Sequence, residues 1–211
     1  MKRITATKDG PYLADGRIEM RDSKGKAFPA DDTVALCRCG KSKVKPYCDG
    51  SHVKSAFSGV KHKDRIKDKV DPYKGKDVTI HDNRGVCSHA GHCTGNVPTV
   101  WKSKPKEGEA WIDPDGSDAV DIEAVCKLCP SGALSYTKDG KLHKDYGRGP
   151  MIKIAKDGPY KVVGHVELVD DNNSSKPESR EHYTLCRCGH SKNKPFCDGS
   201  HAPSGFKDDK N

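Results

Sequence analysis

The apolar positions of this chain fall in short alternating runs rather than long helical stripes. Arg17-Ile18-Glu19-Met20 and His165-Val166-Glu167-Leu168 alternate with period two, the pattern of a half-buried strand. Thr33-Val34-Ala35-Leu36 and Tyr183-Thr184-Leu185 are β-prone, and each runs straight into a cysteine. These pairs belong to a repeat that opens with Lys8-Asp9-Gly10-Pro11-Tyr12 and returns as Lys156-Asp157-Gly158-Pro159-Tyr160. Between the copies the pattern changes. Lys76–Ile80 reads as a strand and Ala110-Trp111-Ile112 as a second. Asp118 or Ser117 is placed to cap a helix running from Asp121 to Cys129, and Ala133–Tyr136 reads as a third strand. The order suits a small α+β unit. The expected organisation is a first module over 1–60, a basic linker over 61–75, a middle module over 76–148 and a second copy of the first module over 149–211. Gly147-Arg148-Gly149-Pro150 marks the last boundary.

Composition makes small modules more natural than one large core. Of 211 residues, 6% are aromatic and 33% hydrophobic, against 32% charged. Modules this small usually need pinning by metal or disulfides, and ten cysteines are available. The N-terminus carries no apolar leader, and no run approaches the ~20 apolar residues that span a bilayer. The expectation is a cytoplasmic, membrane-free protein, in which clustered cysteines bind metal rather than pair. Most of the +8 net charge sits in the first third, notably from Lys61 to Lys76, interleaved with Asp64, Asp68 and Asp71. Such a run reads as a solvated linker. It lacks the aromatic interleaving of a nucleic-acid surface, and an acidic redox protein is the partner it suits.

The chemistry lies in the cysteines. Cys37, Cys39, Cys48 and His52 recur as Cys186, Cys188, Cys197 and His201, both with the spacing C-x-C-x8-C-x3-H. Three thiolates and one imidazole complete a metal site. Asp49 and Asp198 sit where a helix N-cap would orient the third cysteine and the histidine. Spacing alone admits zinc as well as iron, although zinc ligands more often come as C-x2–4-C and H-x3–5-H.

Both copies resemble the CDGSH iron–sulfur (mitoNEET-like) family, whose signature C-x-C-x2-[ST]-x3-P-x-C-D-G-[SAT]-H is met at every fixed position, twice. The resemblance implies a 2Fe–2S cluster in each copy. Cys37 and Cys39 would hold one iron and Cys48 and His52 the other, with Cys186, Cys188, Cys197 and His201 repeating the arrangement. An imidazole in place of a thiolate makes reduction easier and leaves the cluster acid-labile. Known relatives such as those of the mitoNEET type are anchored in organelle membranes and dimerise to present two clusters. This chain holds two copies and shows no anchor, so the expectation is an intramolecular pseudo-dimer of β-rich modules in a monomeric chain.

The middle module carries Cys87, Cys93, Cys126 and Cys129. Its C-x5-C, the Val97-Pro98 loop and Cys129-Pro130-Ser131-Gly132-Ala133-Leu134 resemble bacterial single-cluster ferredoxins. The resemblance implies a ferredoxin-like α+β module with Cys87, Cys93 and Cys129 as ligands. Ala90 stands where a further cysteine ligand is usual, which suits a 3Fe–4S cluster; a 4Fe–4S cluster needs a fourth ligand. Cys126, one helical turn before Cys129, is the candidate for that role, and the alternative is a buried, inert thiol. His89 and His92 flank the loop.

The chain therefore reads as a bacterial-type α+β electron carrier with three clusters. No nucleophile–base order, P-loop or dinucleotide fingerprint points to an enzyme. The rival readings are a protein that senses redox state or hands its clusters to other proteins, and a zinc-stabilised interaction module.

Overall fold

The computed structural model describes residues 1–209 and 211. The first copy forms β1 (Arg3–Ala6), β2 (Tyr12–Asp15), β3 (Glu19–Arg21), β4 (Ala27–Phe28), β5 (Thr33–Leu36) and the single turn α1 (Ser51–Lys54). The middle of the chain forms β6 (Val70–Lys74), β7 (Val78–Asn83), α2 (His92–Asn96), α3 (Ala119–Leu128), β8 (Leu134–Lys138) and β9 (Lys141–His143). The second copy adds β10 (Met151–Ile154), β11 (Tyr160–Val163), β12 (Glu167–Asp170) and β13 (His182–Leu185).

The two copies exchange strands. One sheet runs β12-β1-β2-β5 and the other β13-β11-β10-β3-β4, so each is completed by a strand of the other copy. Both exchanged strands pair in parallel, Ile4 opposite Leu168 and Ile152 opposite Met20. The chain crosses over at Gly16-Arg17 and Gly164-His165, all four residues at positive φ. The expected pseudo-dimer is thus a strand-swapped one, and β3 buries Met20 in the shared core. Alternation alone announces a strand but not which sheet receives it.

The middle module is a four-stranded antiparallel sheet, β6-β7-β8-β9, backed by α3. Asp118 caps α3 as expected, accepting the Asp121 N–H at 3.0 Å. Three expectations need correction. The segment read as a linker over 61–75 supplies the edge strand β6, paired with β7 from Val70–Asn83 to Lys74–Thr79. Its alternating exposed and half-buried residues are hidden in sequence by their charge. Ala110-Trp111-Ile112 makes only a single bridge, Trp101 to Ile112, rather than a strand. The cap of α1 is Gly50 in the left-handed region, not Asp49.

Candidate metal centres

Each repeat brings its ligands together as two pairs. Cys37 and Cys39, at the end of β5, place their Sγ atoms 3.9 Å apart; Cys186 and Cys188, after β13, stand at 3.7 Å. Cys48 Sγ lies 3.4 Å from His52 Nδ1, and Cys197 Sγ 3.4 Å from His201 Nδ1. Two thiolates at ~2.3 Å from one tetrahedral metal stand about 3.8 Å apart, and a thiolate and an imidazole about 3.6 Å. Each pair therefore fits one metal. The pairs do not converge on a single ion. Among the described residues, the only His, Cys, Asp or Glu trio whose ligand atoms gather within 4.8 Å is Asp145, Glu181 and His182. That trio is already engaged, Glu181 by the Arg148 guanidinium and both Asp145 and His182 by the Ser179 hydroxyl.

The loops are shaped to receive negative sulfur. Backbone N–H groups of Lys41 and Gly50 donate to Cys39 and Cys48 Sγ, both at 3.5 Å; His190 and Gly199 repeat this on Cys188 and Cys197 at 3.4 and 3.5 Å. Asp49 ties the loop, accepting the N–H groups of Lys43 at 2.8 Å and Ser51 at 3.0 Å, which hold its carboxyl well below the usual range. Asp198 does the same for Lys192 and Ser200. In each C-x-C pair one thiol is pulled down to about 6 by its neighbour's hydrogen bond, Cys39 by Cys37 and Cys186 by Cys188. Because the two sulfurs share that hydrogen bond, a proton is lost from the pair rather than from either cysteine alone.

The two repeated sites lie back to back. A Cβ at Gly40 would stand 2.4 Å from the Cys188 carbonyl oxygen, and one at Gly189 2.5 Å from that of Cys39. Only glycine permits this approach. Tyr12 Oη lies 2.9 Å from the carbonyl oxygens of both Cys186 and Pro195; Tyr160 Oη lies 2.9 and 3.0 Å from those of Cys37 and Pro46. Each half thus supports the other's site. In the sequence these tyrosines stand out only as part of the repeat, and nothing local beyond the repeat marks Arg38 and Arg187, both buried. Arg38 donates to Thr7 O and Asn172 Oδ1, each at 3.0 Å, and Arg187 to Gly158 O, Ala155 O and Asp208. The repeated Cys-Arg-Cys was the signal available.

In the middle module, Cys87, Cys93 and Cys129 line one cavity of about 260 Å³, with Ala90, His89, His92, Arg84 and Trp111. Cys87 follows β7, Cys93 sits in α2, and Cys129 ends α3. Burial pushes the Cys87 thiol up to about 11 and raises Cys93, so binding a metal here releases protons. Arg84 Nη1 approaches Cys87 Sγ at 3.6 Å. Cys126 is fully buried and does not line the cavity; burial raises it well above the usual thiol range, aided by the neighbouring Cys129 and Cys93.

Two paired Cys3His sites back to back, with a thiol-lined cavity in the module that links the two repeats along the chain, are the donor sets of an iron–sulfur protein. Residues 9–53 and 157–202 match the family described as iron-binding zinc finger, CDGSH type, and the chain belongs to it. Residues 73–139 match a family described as divergent 4Fe-4S mono-cluster. The chain is also similar to the uncharacterized protein YjdI of Escherichia coli (strain K12) and of Escherichia coli O157:H7. Each is 34% identical over 64 residues, covering 30% of this chain and 80% of that protein. No helix of the described residues is long and apolar enough to cross a membrane.

Proposed function

We propose that this chain is an electron-transfer protein, not an enzyme, holding a 2Fe–2S cluster in each repeat and a third cluster in the middle module. The observation that carries the reading is the split of each Cys3His set into two metal-sized pairs that do not meet at one point, which favours a binuclear centre over a single zinc. Cys37, Cys39, Cys48 and His52 would hold one such group, and Cys186, Cys188, Cys197 and His201 the other. Cys87, Cys93 and Cys129 would hold the third. The clusters would supply reversible one-electron chemistry. The chain's part is to donate N–H groups to the sulfurs and to keep the C-x-C side dry. It also presents His52 at a half-open edge. The third group is read as 3Fe–4S, because Ala90 leaves one corner of the cavity without a thiolate and Cys126 lies outside it. The 4Fe-4S description of the matching family is the alternative.

Exposed Lys41, Lys43 and Lys54 surround the first site, so an acidic redox protein is the partner this edge suits. The internal two-fold makes a second copy unnecessary. The half-exposed Cys48 and His52 also favour a second reading, release of the repeat clusters to an apoprotein. Iron and sulfide analysis with electron paramagnetic resonance, followed by mixing with a reduced flavoprotein, separates these. Electron transfer predicts fast, reversible reduction, silent oxidised repeat clusters and a paramagnetic oxidised middle centre. Cluster signal migrating to an apo-acceptor without reduction would overturn it, and a colourless protein would return the zinc reading.

A further inference from the structure

The two metal loops, 37–52 and 186–201, are identical at 13 of 16 positions but differ in their surroundings. Among the described residues, the middle module rests on the second site and not on the first. Asn193 is buried, its amide donating to Gly85 O at 2.5 Å and Asp68 Oδ1 at 3.1 Å, whereas its counterpart Val44 is 44% exposed. The His62 N–H donates to Lys192 O at 2.8 Å, and Lys192 pairs with Asp64. Cys197 is 2% exposed, while Cys48 is half-buried.

The contact is closest between the metal loops themselves. His89 follows Cys87 by two residues and lines the middle cavity. Gly199 lies between Cys197 and His201 in the second repeat. A Cβ at position 199 would stand 2.8 Å from His89 Cδ2 and 3.0 Å from its Cβ, whereas one at Gly50, the equivalent position, would meet nothing within 4 Å. On the other flank, Gly132, just past Cys129, presses on Ser179 and the His182 carbonyl at the start of β13, the strand that delivers Cys186.

We propose that the three sites form a series, middle module to second repeat to first repeat, with the His89–Gly199 contact as the first junction and the facing Cys39 and Cys188 backbones as the second. His89 is a positioning residue in it. The inference rests on the electron-transfer reading. One electron passes at a time, the middle site losing what the second repeat gains, with no bond or proton moving and the supply an external one-electron donor such as a reduced flavoprotein. The first repeat, its Cys48–His52 loop free of the middle module, is the terminal site facing an outside partner.

The test compares glycines at matched backbone angles, φ 84° at Gly199 and 82° at Gly50. The whole cluster-loaded protein is titrated with dithionite while paramagnetic resonance is recorded. The wild type should show magnetic interaction between the middle centre and one repeat centre only. Gly199→Ala should weaken or abolish that interaction, Gly50→Ala should retain it, and adding His89→Ala to Gly199→Ala should restore it by removing the clash. Reversible reduction with non-interacting signals, or equal effects of the two glycine variants, would overturn the series while leaving electron transfer standing. Failure of any site to reduce reversibly would overturn both.

Discussion

Asp82 shows how much a single partnerless group can matter. It sits in β7, 1% exposed, at the edge of the middle cavity, with no hydrogen-bond partner on either carboxylate oxygen among the described residues. Burial pushes its carboxyl up to about 7, only partly offset by Arg84, and a negatively charged cluster on the neighbouring cysteines would act in the same direction. The folded chain therefore keeps a proton that the unfolded chain releases near pH 4, so stability falls as pH rises from about 4 to about 7. Asp82→Asn should remove this slope and gain on the order of 2–4 kcal/mol at about pH 8. Urea midpoints of the cluster-loaded proteins at about pH 5 and pH 8 check it; parallel pH dependence in the two proteins would show that the carboxyl is solvated. Glu181 is the opposite case. Burial pushes it up as well, but the Arg148 guanidinium and the N–H groups of Tyr146 and Arg148 more than offset that and hold it near 2. Its contribution is complete above the usual carboxylate range and is lost progressively as pH falls from there to about 2.

Between elements, that same Glu181 locks the exit of the middle module onto the start of β13. Arg148 reaches it with Nε at 2.7 Å and Nη2 at 3.1 Å, and the Tyr146 and Arg148 N–H groups add 2.8 and 3.1 Å contacts. Glu181 is completely buried, so Arg148→Met strands a charge and should cost about 3–5 kcal/mol. Adding Glu181→Leu should recover only part of that, because two backbone N–H groups stay without an acceptor. Denaturation of the single and double variants measures the coupling, and full recovery would mean the N–H groups find water. In the sequence Arg148 looks like a spacer in Gly147-Arg148-Gly149-Pro150, since nothing local reveals a partner more than thirty residues away. Other elements were easier to read. Thr33–Leu36 is β5 residue for residue, because period-two burial is a local property. The C-x-C and C-x3-H spacings bring Cys37 beside Cys39 and Cys48 beside His52, and their counterparts likewise, because residues so near in the chain meet within one turn. The strand exchange, the β6 edge and the asymmetric docking of the middle module depend on distant contacts. For the last, the trace in the sequence is slight: Asn193 stands where the first repeat has Val44, one of three differences between the two sixteen-residue metal loops.

Across the whole molecule, the halves interlock so that neither metal site is built by its own repeat alone. Tyr12 and Tyr160 meet edge to face, centroids 6.0 Å apart at 87°, and each hydroxyl crosses to the cysteine loop of the opposite repeat. Tyr12→Phe leaves the buried Cys186 and Pro195 carbonyls without that donor, a loss of about 1–3 kcal/mol, and should loosen the second site rather than the first. Tyr160→Phe should loosen the first rather than the second. Stepwise loss of visible absorption on acidification reads this, provided each step is assigned. His201→Cys supplies the assignment, since replacing the acid-sensitive ligand by a thiolate should slow the second-repeat step alone. The second-repeat step should then come earlier in Tyr12→Phe, and the first-repeat step earlier in Tyr160→Phe. A tyrosine variant that instead destabilises the site in its own repeat would mean that the two sites are built independently, and that the strand exchange joins them without supporting either.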